Sequence, residues 1–505
     1  MLALVLAVTL SGQAPPDRVS RLRAAMPRID KVFEAFAKRA RVPGITYGVL
    51  IDGRLVHTAS VGVRELADKS AISPDTVFRI ASMTKSFTAL SILKLRDDGK
   101  LSLDDPAEMY VPELVTLTYP TADSPKLTIR HLLSHSTGFP EDNPWGDQQL
   151  AVTDDEFTEM LKGGIPFSTS PGTNYEYSNY GFAILGRVVT RVSGMPYADY
   201  VHDNILEPLG MTATTLQPAS VRRGRLALGY RLEDNEFKEE PQLPDGAFGA
   251  MGGMLTSTRD LGRYVGFLMS AWPARDELDL GPVRRSSLRE MQQPARSRPA
   301  TVTGGIDGTP IQLNSSAYGY GLGIRQSCDY RQIVSHSGGL PGFGSQMRWL
   351  VDEGVGLIAM GNLTYTGWSG VFDEATEILR ATGALTRRQP EPSAALLAAR
   401  GDVTRLVNEW DDALADRIAA VNLFLDQSKE RRRNQIAGLR DQVGACQSDA
   451  PFDVENALRG QWTMTCERGS LRVAITLAPT MPPKVQHLSV RPAPAESATP
   501  ACGVR

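Results

Sequence analysis

The sequence predicts an α/β fold of the α+β type, in which helices flank an antiparallel sheet and a helical region is inserted into it. Two observations lead to this prediction. Strand patterns occur at both ends of residues 29–386, and helices with long loops rich in Pro, Gly and Asp fill the stretch between them. The simplest assembly builds one sheet from the two ends, with a cleft between this sheet and the inserted helices.

Periodicity and turn residues locate the individual elements. Apolar residues at helical spacing predict helices at residues 82–99, 180–193, 259–269 and about 371–382. Runs of strand-forming residues bounded by turns such as Asp52-Gly53 predict strands at residues 45–50, 55–61, 321–326, 332–336, 346–351 and 355–360.

The length and charge of the chain limit the classes of protein to which it can belong. With 505 residues it is too long for one ordinary core, so we expect two or three domains. The 54 Lys and Arg residues nearly balance the 57 Asp and Glu residues, which predicts no nucleic-acid partner and no acidic membrane partner. We also expect no transmembrane span in the mature chain.

The first residues have the pattern of a secretory signal. Residues 2–10 form an apolar run that is too short to span a bilayer, and small residues follow it before Pro15. We therefore predict a signal peptide at residues 1–14 and a periplasmic or secreted location. The alternative is a frayed N-terminal tail.

The composition changes near the end of the chain. The sequence Arg-Arg-Gln-Pro-Glu-Pro predicts a linker, which we assign to residues 387–400. Residues 401–505 are expected to form a C-terminal domain of charged helices and a small β element, and the sequence assigns it no function. Cys446, Cys466 and Cys502 lie there, and two of them could pair in an oxidising compartment; free structural thiols are the alternative.

The first candidate site is Ser82-Met83-Thr84-Lys85, at the start of a predicted helix. Ser82 and Lys85 lie on one helix face, and the free N–H groups at the helix start favour negative charge beside Ser82. A serine hydroxyl becomes a good nucleophile when a base takes its proton. A neutral Lys85 could be that base, as could a tyrosine phenolate stabilised by a cation. The same spacing recurs at Ser91-Ile92-Leu93-Lys94, but inside the helix, where no oxyanion could approach.

The second candidate is Tyr177-Ser178-Asn179, in a polar loop that leads into an apolar helix. The Tyr177 phenol could transfer a proton between Ser82 and a leaving group. Asn179 could hydrogen-bond both Lys85 and a substrate amide. The alternative is a helix N-cap with a packed tyrosine beside it.

The third candidate, His336-Ser337-Gly338, follows a predicted strand. Glycines in this position allow a substrate backbone to lie close to a strand edge. The backbone N–H groups of Ser82 and Gly339 could form an oxyanion hole, a group of donors that stabilises negative charge in the transition state. The alternative is an ordinary Gly-rich turn.

A metal site is a weaker possibility. His131 and His135 are four residues apart and could present two ligands on one helix face. The zinc-peptidase pattern requires a Glu next to the first His, however, and Leu132 occupies that position. We therefore predict no metal and no cofactor.

Taken in this order, the three motifs resemble those of the serine β-lactamase and penicillin-binding protein superfamily, in its class C β-lactamase-like, DD-peptidase and esterase branch. The resemblance covers about residues 29–383, with further similar stretches at residues 127–138, 205–211, 252–257 and 318–323. It implies a β-lactamase/transpeptidase-like fold with Ser82 as the acylated nucleophile and with Lys85 and Tyr177 as its acid/base partners. It also implies Asn179 as a binding group and His336-Ser337-Gly338 on the strand that borders the substrate.

The resemblance implies a serine hydrolase that acts through an acyl-serine on amide or ester bonds, most similar to a D-amino peptide peptidase or esterase. The expected partner is a small-molecule or peptide substrate: a cell-wall peptide, an ester or a β-lactam. The alternatives are a true β-lactamase and a non-catalytic protein that binds muropeptides or another partner. Class C β-lactamases carry Lys-Thr-Gly where this chain has His336-Ser337-Gly338. If His336 must be charged to hold a carboxylate, affinity for acidic substrates should weaken as the pH rises through its pKa.

Overall fold

The computed structural model describes residues 17–303, 312–447 and 451–493, and it divides the chain into two units, Met1–Arg387 and Arg388–Arg505. The signal peptide predicted at residues 1–14 and the cysteine Cys502 lie outside the described residues. The linker predicted at residues 387–400 differs from the structure in its second half, because a helix begins at Ala394.

The first unit combines helices with mostly antiparallel strand pairs. Its helices are α1 (Arg18–Arg23), α2 (Met26–Arg39), α3 (Thr84–Asp97), α4 (Ile129–Leu133), α5 (Asn143–Gly146), α6 (Asp154–Lys162), α7 (Asn179–Ser193), α8 (Tyr197–Val201), α9 (Gly249–Gly252), α10 (Thr258–Met269), α11 (Arg285–Met291) and α12 (Ser369–Arg380). Its strands are β1 (Gly44–Ile51), β2 (Arg54–Gly62), β3 (Val77–Arg79), β4 (Tyr230–Glu233), β5 (Glu236–Glu239), β6 (Leu255–Ser257), β7 (Arg296–Ser297), β8 (Thr301–Thr303), β9 (Gln312–Tyr318), β10 (Gly323–Gln326), β11 (Ile333–Leu340), β12 (Phe343–Leu350) and β13 (Val355–Gly361).

The main sheet joins the two ends of this unit, as predicted. Its described strands follow the order β2-β1-β13-β12-β11-β10-β9-β7, with β8 paired to β9. The N-terminal strand β1 pairs antiparallel with β13, from the far end of the unit. Helices α3 to α10 lie between these strands in the sequence, so the predicted α+β arrangement with an inserted helical region is confirmed.

Side chains of the central strands alternate between two cores, one on each face of the sheet. On β1, Tyr47 and Val49 pack into the core that also contains α2 and α12, whereas Leu50 packs into the core of the inserted helical region. The ring of Phe33 stacks on Tyr47 with centroids 3.9 Å apart. A strand covered on both faces is apolar along its whole length, which explains why β1 is buried throughout.

Strand β11 is longer than the sequence predicted. The expected strand ended at His336, but β11 continues to Leu340, because its glycines pair with β12 instead of forming a turn. The motif His336-Ser337-Gly338 therefore lies inside the strand. The pairing of β10 with β11 ends at Ser335, so the following residues of β11 have an edge that β10 does not cover.

The second unit has its own core and its own sheet. It contains α13 (Ala394–Asn408), α14 (Asp412–Ile418), α15 (Lys429–Val443), β14 (Cys446–Gln447), β15 (Asp453–Asn456), β16 (Arg459–Cys466), β17 (Gly469–Leu477) and β18 (Val485–Pro492). The order is β14-β16-β17-β18, with β15 also paired to β16. A disulfide joins Cys446 to Cys466, which face each other across β14 and β16.

Basic residues of α15 form ion pairs within the second unit. Lys429 pairs with Asp416, and Arg433 pairs with Asp412. No helix in the described parts of the chain combines the length and the apolar character needed to cross a bilayer.

Candidate active site

Ser82 lies in a short 3-10 turn, Ala81–Met83, that leads directly into α3. This turn packs against β11 at Gly338. A Cβ atom on Gly338 would lie only 2.0 Å from the carbonyl oxygen of Ile80, so no larger residue fits there. The hydroxyl of Ser345, on the neighbouring strand, donates to the same oxygen at 2.8 Å. The glycine of the third motif therefore positions the serine of the first.

Lys85 is fully buried one turn after Ser82, and its amine has three close neighbours. Its Nζ lies 2.6 Å from Asn179 Oδ1, 2.9 Å from the Met251 carbonyl oxygen and 3.2 Å from Ser82 Oγ. Burial lowers the pKa of Lys85 to about 7, although the nearby carboxylates of Asp147 and Asp142 oppose this shift. A neutral amine that donates to Asn179 and Met251 keeps its lone pair for the Ser82 hydroxyl.

Tyr177 lines the same cavity as Ser82. Burial raises the pKa of its phenol well above the ordinary value, and a hydrogen bond with Ser82 counteracts this only in part. The Lys85 amine lies 4.7 Å from the centre of the Tyr177 ring. A phenol with a raised pKa stays protonated, which argues against the tyrosine phenolate and favours the prediction of a neutral Lys85 as the base.

Asn179 is the first residue of α7 and is completely buried. Its Oδ1 accepts from Lys85, as predicted, but its Nδ2 donates to Asn143 Oδ1 at 3.3 Å. Asn179 is not among the described residues that line the cavity beside Ser82, so its contact with a substrate amide stays a prediction. The side chain of Asn143 lines the cavity beside Ser82 in its place.

His336 is buried and makes two hydrogen bonds. Its Nδ1 lies 2.6 Å from the Ser337 carbonyl oxygen, so it carries the proton, and its Nε2 accepts from the Tyr318 hydroxyl at 2.9 Å. Burial and the positive charge of Lys85 lower the pKa of His336 to about 3. Burial therefore favours the neutral ring, which argues against a charged His336 as the group that holds a carboxylate.

The two histidines that suggested a metal site, His131 and His135, accept hydrogen bonds from backbone N–H groups. The Nδ1 atom of His131 accepts from the backbone N–H of Thr128, at the start of α4. His135 accepts from the backbone N–H of Ser178 and packs against the Tyr177 ring at 4.3 Å. Among the described residues no group of His, Cys, Asp and Glu has the arrangement of a metal site.

A cavity of about 550 Å³ opens at Ser82. Along β11 it is lined by His336, Ser337, Gly338 and Gly339, so the third motif borders it as predicted. On the other sides it is lined by residues that include Glu141, Asn143, Tyr175, Tyr177, Arg298 and Tyr365.

Arg298 and Asn143 were not predicted from the sequence. Each lies in a loop or a short element that is far from the three motifs in the sequence. An arginine or an asparagine alone does not indicate a functional site. Tyr318 belongs to one of the similar stretches, residues 318–323, but nothing in the pattern predicted its bond to His336. Arg298 stacks on Tyr175 with its guanidinium carbon 3.8 Å from the ring centre, and it supplies the positive charge among the described residues that line the cavity.

Comparison with known proteins finds similarity over most of the chain. The family model described as Beta-lactamase matches residues 29–382. Protein flp of Staphylococcus aureus (strain N315) is 28% identical over 344 residues, which cover 66% of this chain and 63% of that protein. Penicillin-binding protein 4* of Bacillus subtilis (strain 168) is 26% identical over 355 residues, covering 66% of this chain and 71% of that protein.

Two solved structures share the fold. The octameric penicillin-binding protein homologue from Pyrococcus abyssi superimposes with a TM-score of 0.60 at 22% identity, covering 90% of this chain and 96% of that one. The penicillin binding protein from Bacillus halodurans gives a TM-score of 0.54 at 23% identity, covering 71% of this chain and 100% of that one.

Separate replacement of the two lysines of α3 should distinguish the candidate site at Ser82 from the second Ser-x-x-Lys motif, at Ser91. Lys85→Ala removes the buried amine beside Ser82 and should slow acylation by about 10²–10⁴-fold, the usual contribution of a general base. Lys94→Ala removes only a partly exposed ion pair with Asp98 and should change the rate little. Single-turnover kinetics with an ester substrate measure both. Equal losses in the two variants would contradict the assignment.

The rate of acylation should also depend on pH. A neutral Lys85 acting as the base with a pKa of about 7 predicts a rate that rises with pH through the neutral range and then levels off. The second-order rate of reaction with an uncharged ester, measured from about pH 5 to 9, tests this. A rate that is flat across neutrality would exclude a lysine base.

Proposed function

Because this chain belongs to the beta-lactamase family, a family of serine hydrolases, we propose that it hydrolyses amide or ester bonds through an acyl-enzyme formed on Ser82. The preferred substrate class is a D-amino peptide or a related ester. The contact between the buried Lys85 amine and Ser82 Oγ at 3.2 Å is the observation that carries the proposal. A lysine amine that is neutral near pH 7 has a lone pair available for the hydroxyl proton.

The first chemical step forms the acyl-enzyme. Lys85 takes the Ser82 proton while Oγ attacks the carbonyl carbon of the substrate. The negative charge that develops on the carbonyl oxygen is stabilised by the backbone N–H groups of Ser82 and Gly339, at the edge of β11. Gly339 suits this role because it lines the cavity beside Ser82 and lies beyond the part of β11 that β10 covers.

The leaving group must then receive a proton. The Tyr177 hydroxyl is protonated and interacts with Ser82, so it can pass its proton to the departing amine or alcohol. The proton that Lys85 took from Ser82 then moves to Tyr177, which leaves Lys85 neutral again. Water attacks the acyl-enzyme in the second half of the reaction, with the same groups acting in reverse. Asn179 acts through Lys85, whose amine it orients by a hydrogen bond of 2.6 Å.

Arg298 in the cavity wall favours a substrate with a carboxylate, although Glu141 carries the opposite charge on the same cavity. His336 is neutral, so it cannot replace the lysine of the Lys-Thr-Gly motif as a cation. Arg298 supplies a permanent positive charge, and a guanidinium binds carboxylates through two parallel hydrogen bonds. We assign the recognition of a substrate carboxylate to Arg298, with Ser337 and Asn143 as neighbouring polar groups on the cavity wall.

A periplasmic or secreted location is part of the proposal. The Cys446–Cys466 disulfide supports it, because such bonds persist in oxidising compartments. The apolar run at residues 2–10 has the composition of a signal sequence and supports it as well.

Covalent capture tests the proposed function and its alternatives together. Intact-protein mass spectrometry after exposure to a fluorophosphonate, a penicillin, and D-amino peptides and esters should reveal an adduct on Ser82. Ser82→Ala should lose both the adduct and turnover, with the fold unchanged. Ser91→Ala, at the second Ser-x-x-Lys, should behave as the wild type, because the Ser91 hydroxyl only bonds the Phe87 carbonyl inside α3.

The outcomes discriminate between the readings. A wild-type protein that forms no adduct with any reagent would be a binding protein on this scaffold. A rapid turnover of the penicillin adduct, with no reaction of peptides or esters, would favour a β-lactamase.

The role of Arg298 predicts a difference between two forms of one substrate. Arg298→Gln should raise KM for a peptide with a free C-terminal carboxylate by about tenfold or more, since a hydrogen bond to a charged group contributes about 1.5–3 kcal/mol. For the same peptide with an amidated C-terminus, the KM of Arg298→Gln should equal that of the wild type. Arg296→Gln is the matched control, because Arg296 is two residues away and bonds the Thr173 carbonyl. Equal effects on the free and amidated peptides would exclude a carboxylate contact.

A further inference from the structure

A buried carboxyl group beside the proposed catalytic amine has no role in the mechanism above. Asp147 directly follows α5 and is only 2% exposed. The preceding residue, Gly146, packs so closely on Asn179 that an added Cβ would lie 2.5 Å from the Asn179 Cβ. The end of α5 is therefore in contact with the residue that orients Lys85.

The two oxygens of Asp147 have different surroundings. Oδ2 accepts a hydrogen bond from the Tyr365 hydroxyl at 3.0 Å. Oδ1 is buried and has no hydrogen-bond partner among the described residues. A carboxylate oxygen left unpaired in the interior costs free energy, so this arrangement calls for a compensating interaction.

Tyr365 connects this carboxyl group to the cavity. Its backbone has a φ of 52°, a left-handed conformation that is unfavourable for a tyrosine. Its ring packs against the proposed oxyanion residue: a Cβ on Gly339 would lie 2.6 Å from Tyr365 Cδ1. About half of the Tyr365 surface is exposed, and the residue lines the cavity at Ser82.

The other nearby acid, Asp142, has a structural task. Its two oxygens accept from the backbone N–H groups of Asn179 and Tyr180 at 2.6 and 2.8 Å, which caps α7. Asp147 makes no such cap, and its charge is the strongest of the acidic influences on Lys85. Burial raises the pKa of Asp147 to about 6, and the hydrogen bond from Tyr365 and the charge of Lys85 oppose this shift, so the group is ionised at neutral pH.

We propose that Asp147 is a positioning residue: Tyr365 holds its carboxylate near Lys85, and the negative charge there determines the pH at which Lys85 can accept the Ser82 proton. This inference rests on the proposed function of Ser82 and Lys85. Without the carboxylate, the ammonium form of Lys85 loses its main electrostatic support, so the amine becomes neutral at a lower pH and is also a weaker base.

The other titratable groups around this pair do not compete for that role. Around Lys85, the phenol of Tyr177 stays protonated, and burial lowers the pKa values of His135 and His336 so that both rings stay neutral. Around Asp147 the titratable and charged groups are Tyr365, Lys85, Asp142 and Glu141.

The test is the pH dependence of Ser82 labelling by an uncharged fluorophosphonate, with each rate divided by its own high-pH plateau. In Asp147→Asn, which keeps the shape and an acceptor for Tyr365, the midpoint of the rise should move down by about one pH unit, the usual effect of a close opposite charge. The plateau rate itself should fall. Thermal unfolding checks that the variant is folded.

A second variant and a control ensure that the conclusion does not depend on Asp147→Asn alone. Tyr365→Phe removes the donor to Asp147, so the carboxyl group stays protonated to a higher pH and the midpoint should move down by a smaller amount. Glu353→Gln is the matched control, because Glu353 is also a buried carboxyl with an unpaired oxygen among the described residues, but it lies in the β12–β13 turn. Its midpoint should equal that of the wild type.

The outcomes separate this inference from the proposed function. No labelling of the wild type would overturn the proposed function. Labelling of the wild type with the same midpoint in Asp147→Asn and Tyr365→Phe would overturn only the role of Asp147. An equal shift in Glu353→Gln would also overturn it, since the effect would then follow from any buried acid. Should Asp147→Asn fail to fold, an unshifted midpoint in Tyr365→Phe overturns the inference.

Discussion

The complete burial of one lysine amine is the constraint on which the site depends. Removing an ammonium from water costs several kcal/mol unless it is paired and hydrogen-bonded. Lys85 is surrounded by Ser82, Asn179 and the Met251 carbonyl, all uncharged, and its acidic neighbours offset the desolvation only in part. Burial therefore lowers the pKa of Lys85 to about 7, a value that suits the proposed role of a base beside the Ser82 hydroxyl.

Strand β11 links this chemistry to the substrate cavity. Gly338 has no side chain, so the Ile80 carbonyl can lie against the strand and the turn that carries Ser82 is held beside its edge. The same strand carries His336, whose two ring nitrogens are used by Ser337 and Tyr318. A histidine bound in this way shapes the wall of the cavity without charging it. The positive charge comes from Arg298, which approaches from a different part of the chain.

The two units differ in what can be said of their function. The match to the beta-lactamase family ends at residue 382, close to the division between units after Arg387. The second unit has its own apolar core around Trp462 and a disulfide that joins two of its strands. A region with its own core can fold as a separate body. The three motifs and the cavity at Ser82 all belong to the first unit.

The sequence by itself determined the α+β organisation, the pairing of the chain ends and the three motifs, because these depend on periodicity, turn residues and short-range spacing. It also distinguished Ser82 from Ser91 as the candidate nucleophile, since N–H groups are free at a helix start and already bonded inside a helix. It could not determine that β11 extends to Leu340, that Asn179 bonds Asn143 as well as Lys85, that Arg298 lines the cavity, or that Asp147 lies near Lys85. These features follow from contacts between segments far apart in the chain, and the ionisation of Lys85 and His336 follows from burial, which exists only in the folded protein.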